Sequence, residues 1–133
     1  MNTLKAEISS INTKGSLSIV TLKAAGQVLT SMVIDTPETS DILKVGNVIN
    51  ALFKETEVII GLSQEQALSV ENKLNGTVLS LETDELLARV VIQIDTALIS
   101  SITTTSALKK LNLAKGTAVF AMIKSNEIML SAI

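Results

Sequence analysis

Apolar residues fall in short runs rich in Val, Ile, Leu and Thr, and polar or glycine-bearing segments break these runs at intervals of about 8 to 12 residues. That spacing predicts strands near 4–11, 16–23, 27–34, 47–54 and 56–61, and again near 74–81, 86–94, 97–104, 117–124 and 126–131. An all-β protein follows, and five strands per half fit an OB-like barrel. Between the third and fourth strands, Ser106-Ala107-Leu108-Lys109-Lys110-Leu111-Asn112-Leu113 reads as a short helix with a Ser cap, closed near Gly116. Thr36-Pro37-Glu38 starts its counterpart in the first half, with Pro in a first turn where its missing N–H is harmless.

The two sets of strands are copies. Sliding the chain by 70 positions lays residues 4–63 over 74–133 without a gap and gives about eleven identities. The pattern is best matched where Gly46 to Ile60 lies over Gly116 to Leu130, with Gly, Ala, Lys and Glu coinciding and apolar positions facing apolar ones. Two tandem modules are expected, residues 1–63 and 64–133, with Gly61–Lys73 as a short polar linker that forces them to pack together. A module of about 60 residues has a marginal core, so self-association into a homo-oligomer is expected.

Composition narrows the function. Hydrophobic residues make up 47% of the chain, yet Trp and Tyr are absent and Phe occurs only at Phe53 and Phe120, so the core is aliphatic. With no Cys and no His, zinc sites, thiol catalysis, the Ser-His-Asp arrangement and the commonest general base are all missing, which points away from an enzyme. A net charge of −2 and the lack of aromatic platforms make nucleic acid an unpromising ligand. No apolar run is long enough to span a bilayer and no signal segment opens the chain, so no membrane partner and a cytoplasmic location are expected.

Three segments concentrate hydrogen-bond donors: Ala121 to Asn126, Leu68 to Asn72 and Ser100 to Thr104. A tetrahedral oxyanion needs converging donors with charge compensation, which one ammonium, several hydroxyls and backbone N–H groups supply. The order of motifs here is Ser69-x-x-Asn72, Leu74-x-Gly76-x-Val78, Ile99 to Thr104, Leu111-x-Leu113-x-x-Gly116 and Ala121-x-Ile123-Lys124-Ser125. This series resembles the molbindins, the TOBE or Mop domains that bind molybdate or tungstate. The resemblance is clear from Ser69 to Leu130 and fainter in the first half. It implies tandem Mop modules, a ligand of molybdate or tungstate, no cofactor and no bound metal except as the oxyanion. It also implies that Ser69, Asn72, Thr104, Lys124 and Ser125 shape the oxyanion site where modules meet, with Lys54 as the first-module equivalent of Lys124.

The chain departs from the family pattern in two places. Glu71 stands where the family's Ser-Ala-Arg-Asn opening has Arg; a carboxylate about 6 Å from a dianion costs about 5 kcal/mol at an effective dielectric near 20. Either Glu71 points away or the site has changed. In the first half, Ile34 replaces the Thr104 equivalent, Glu55 replaces that of Ser125, and Met1–Lys5 lacks the Ser-x-x-Asn opening. Each candidate also has an ordinary structural reading. Lys124 suits a solvated strand end, Thr103 to Thr105 suit a strand, Ser69 suits a turn, and Gly46 and Gly116 suit turns rather than ligand contacts. The acidic stretches at 82–85 and 35–38 read as solvated turns. Two functions result: storage or homeostasis of molybdate or tungstate, or a ligand-free interaction or regulatory module related to the effector domains of molybdate regulators and importer ATPases.

Overall fold

The computed structural model describes residues 1–62 and 67–133. The expected boundary between residues 63 and 64, and the middle of the expected linker, lie outside the described residues.

The chain forms ten strands: β1 (Asn2–Lys14), β2 (Leu17–Ala24), β3 (Gln27–Val33), β4 (Val48–Phe53), β5 (Ile59–Gly61), β6 (Asn72–Thr83), β7 (Leu87–Ile94), β8 (Ala97–Thr104), β9 (Ala118–Ile123) and β10 (Met129–Ser131). They make two five-stranded antiparallel sheets. In β1 every second residue from Asn2 to Ile8 is buried, the period-2 pattern of a strand with one face on a core. Leu4, Ile8, Leu22, Leu29, Ile49 and Phe53 join Leu74, Ile92, Ile94, Ile99 and Ile123 in one continuous buried cluster, so both halves share an apolar interior.

The sheets curl because each long first strand serves two neighbours. β1 pairs with β4 from Asn2 to Glu7 and with β2 from Glu7 to Lys14, and a bulge between Ile8 and Ser10 bends it at the handover. β6 repeats this 70 residues later, with its bulge between Val78 and Ser80. At each bulge a glycine closes the corner. Gly46 and Gly116, at φ +89° and +92°, donate their N–H groups to the carbonyls of Ile8 and Val78 at 2.8 Å. Only a residue without Cβ holds that conformation cheaply, which explains why the glycine recurs in both copies.

The fifth strand of each sheet comes from the other half. The strand orders are β10-β4-β1-β2-β3 and β5-β9-β6-β7-β8. Ile59, Ile60 and Gly61 pair with Met122, Ala121 and Phe120, while Met129, Leu130 and Ser131 pair with Leu52, Ala51 and Asn50. The sequence locates these strands but assigns each to its own half. The crossing arises after β4 and β9, where three-residue 3-10 turns, Glu55–Glu57 and Ser125–Glu127, redirect the chain. Buried hydroxyls then anchor it on the opposite sheet: Ser101 Oγ donates to the Val58 carbonyl at 2.8 Å and Ser31 Oγ to that of Ile128 at 2.7 Å. The barrel expected for each half is thus a curled sheet bridged at its edge by side chains of the other half.

Two further clamps act on those edges. Asn72 Nδ2 donates to the Thr30 carbonyl at 2.9 Å, and its Oδ1 accepts from the Thr30 N–H at 2.7 Å. Asn2 does the same with Ser100, both bonds at 2.8 Å. A carboxamide presents a donor beside an acceptor much as a peptide does, so each Asn acts as a one-residue strand on the outer edge of β3 or β8.

The expected helices are largely replaced. In the second half a five-residue helix, α1 (Thr105–Lys109), is capped by Thr104, whose Oγ1 accepts from Ala107 N at 3.1 Å; the cap is therefore not Ser106, and the helix ends well before Gly116. In the first half the segment after β3 makes turns instead. Thr39 Oγ1 donates to Asp35 Oδ1 at 2.7 Å, and the Thr36 carbonyl accepts from the N–H groups of Thr39 and Ser40. Such short polar side chains offer the backbone local bonds that compete with helix.

Replacing Asn72 by Ala leaves the half-buried N–H and carbonyl of Thr30 without the Asn72 amide and is expected to destabilise the protein by about 1–2 kcal/mol in urea denaturation. A loss within error of zero would show that the clamp is dispensable.

Candidate functional site

The pseudo-symmetry creates two comparable junctions where one half meets the other. At the first, Asn72 opens β6 directly opposite Ile123, so Lys124 and Ser125 emerge beside it. Across from them lies Thr30 on β3, bound by the Asn72 amide. Lys124 has an extended backbone, φ −66° and ψ 144°, and its carbonyl accepts from Glu127 N at 3.0 Å, while its side chain is exposed. An ammonium on a backbone fixed in this way projects into solvent and is available to an anion. Ser125 is half-buried at the start of the turn.

The remaining candidates are placed differently. Ser69 lies in an exposed bend three residues before Asn72, and Glu71 is exposed at the same end of β6. Asn72 is buried and both ends of its amide are engaged by Thr30. Thr104 stands apart: β6 and β7 separate its strand from β9, and its hydroxyl caps α1. Lys54 is exposed at the second junction, in the same backbone conformation as Lys124.

The second junction carries charges that no motif in the sequence signals. Glu55 Oε1 accepts from the Met1 ammonium at 3.1 Å, and Glu55 Oε2 lies 3.5 Å from Arg89 Nε. Arg89 Nη2 donates to Ser100 Oγ at 3.0 Å, and Ser100 is in turn held by Asn2. The hydrogen bond from the Met1 ammonium, with the Met1 charge and the hydrogen bond and charge of Arg89, holds the Glu55 carboxyl below the usual carboxylate range against the opposing effect of burial. Lys54 is not among the groups that shift it. Asn2 could have been found by extending the 70-residue offset two positions upstream to Asn72. Arg89 could not, because its counterpart in the repeat is Ile19.

The acidic stretch at 35–38 runs into a turn, and that at 82–85 covers the end of β6 and the bend after it. Asp84 Oδ1 accepts from the N–H groups of Leu86 and Leu87 at 2.8 Å each, and these bonds, that of Leu87 first, lower its carboxyl pKa. Among the described residues, no group of three or more His, Cys, Asp or Glu is gathered so as to hold a metal ion. A cleft of about 720 Å³ lies between Thr13, Ser16 and the 34–39 segment, and none of the candidate oxyanion residues lines it. No helix among the described residues is long and apolar enough to cross a membrane.

The Glu55 ion pairs make stability depend on pH. Because the carboxyl pKa is lower in the folded state, their contribution is complete above the unfolded carboxyl range and is lost as pH falls through the depressed folded value. Glu55→Gln is therefore expected to be less stable than the parent at neutral pH, by less than about 1 kcal/mol for so exposed a pair. Urea denaturation across a pH series should show the gap closing in acid; a gap that persists unchanged would rule out the electrostatic account.

Comparison with known proteins converges on the same region. Residues 68–130 match the TOBE domain model. No curated protein matches the chain in sequence. Among solved structures, the cytoplasmic molybdate-binding protein ModG with molybdate bound is 25% identical and superimposes with a TM-score of 0.90, covering 99% of this chain and 96% of ModG. The TOBE match thus covers the second half of a chain that is similar in fold to ModG from end to end.

Proposed function

We propose that the protein binds molybdate or tungstate at junctions between its modules, as a cytoplasmic store or homeostatic buffer and as a homo-oligomer. It is a binding protein, not an enzyme. The observation that carries this reading is the end-to-end likeness to ModG, a protein solved with molybdate bound. The chemistry of the first junction supports it. Lys124 offers a cation, and the Ser125 hydroxyl with neighbouring N–H groups offers donors to a tetrahedral dianion, whose oxygens accept only. Ser69 and Thr104 join this set only if a second copy brings them to it. Oligomerisation is supported by exposed apolar side chains that recur at the 70-residue offset, Val28 with Leu98 and Ile59 with Met129.

A second reading has its own observation. Glu55 places a carboxylate where the repeat has Ser125, which favours an interaction or regulatory module that keeps the scaffold and binds no ligand. Ligand binding to the folded state raises its melting temperature by mass action, so the two readings separate in one experiment.

Titration calorimetry with molybdate, tungstate and sulfate, with native mass spectrometry to count ions and subunits, is expected to show molybdate or tungstate bound to an oligomer. No binding at millimolar concentration of any of the three refutes storage and leaves the scaffold reading. Lys124→Ala is expected to weaken molybdate affinity at least about tenfold, the equivalent of one lost charge-assisted contact. Glu71→Arg should tighten binding if that side chain faces the ion; unchanged affinity would put it outside the pocket.

A further inference from the structure

We infer that the second junction is an anion site closed by the chain's own carboxylate: Glu55 occupies the place of an external tetrahedral oxyanion, and removing that carboxylate opens the site. The inference rests on the oxyanion reading only for the choice of ligand class.

Glu55 and Ser125 are equivalent in position and backbone. Each opens a three-residue 3-10 turn after a lysine in nearly the same extended conformation, φ −71° and ψ 145° at Lys54 against φ −66° and ψ 144° at Lys124. Their surroundings differ in charge. Around Glu55 stand the Met1 ammonium and the Arg89 guanidinium; the corresponding positions at the other junction are Glu71 and Ile19. The junction that departs from the TOBE pattern thus gathers an ammonium and a guanidinium around its carboxylate.

The guanidinium is positioned as well as charged. Ser100 Oγ accepts from Arg89 Nη2, and Ser100 is fixed by two bonds to the buried Asn2 amide. Arg presents donors in a rigid fork that suits planar and tetrahedral oxyanions alike. Two cations facing one carboxylate leave the cluster with a surplus positive charge, and without Glu55 the pair matches a dianion. A carboxylate tethered at this spot competes with free ligand at a high effective concentration, so the closed state needs no additional partner.

The test uses the full chain as parent, E55S, which copies the residue of the other junction, and E55Q, which keeps the volume and drops the charge. Native mass spectrometry and calorimetry with molybdate should show one more bound ion per chain in E55S than in the parent, and a smaller gain in affinity for E55Q. The double variant E55S/R89I should lose the added ion while keeping the parent's count, a result that general loosening of the fold does not produce. An unchanged count in both E55S and E55Q, with melting curves showing that at least one is folded, overturns the inference. Failure of the parent to bind while E55S binds one ion sustains it and refutes the storage reading instead.

Discussion

The structure depends on a reciprocal loan of β-strands. β4 and β9 each pair with the first long strand of their own half on one side and on the other with three residues supplied by the opposite half. Backbone N–H and C=O groups at a sheet edge demand partners or water, and these two edges find theirs only across the pseudo-two-fold. The Ser31 and Ser101 hydroxyls and the Asn2 and Asn72 amides reinforce the crossing, each with a backbone group of the other half as partner. Because each turn that carries a candidate lysine lies at the point of crossing, the scaffold and the proposed site have the same cause.

Much of the strand pattern could be read from the chain. Alternation places β1, β2, β6 and β7 with small errors at their ends, and Gly46 and Gly116 are turn residues as their chemistry suggests. The route of β5 and β10 could not be read. Three-residue strands such as Ile59–Gly61 carry no periodicity that reports which sheet they join, and the decision rests on tertiary contacts of Val58 and Ile128. The first-half helix gives way to turns because Thr36 and Thr39 bond to nearby backbone, and the second-half helix is shorter and starts one residue earlier because Thr104 caps it.

The candidate site is legible in part for the same reason. Lys124, Ser125 and Asn72 are linked by strand register, and a motif at fixed spacing captures them. Arg89 reaches Glu55 from a strand of the other half, and no local pattern signals it. The repeat exposes the asymmetry: a pair of equivalent positions in which one holds Ser and the other Glu has diverged in electrostatics while preserving backbone geometry. Duplication permits this divergence, since one junction can keep a role while the other changes sign.

The position of β10 at residues 129–131 has a consequence for biogenesis. The N-terminal sheet cannot acquire its last strand until nearly all 133 residues have left the ribosome, so its folding cannot run to completion as the chain emerges. Until then β4 offers an unsatisfied edge to any nascent neighbour, and the speed of translation through the C-terminal half sets how long that vulnerability lasts.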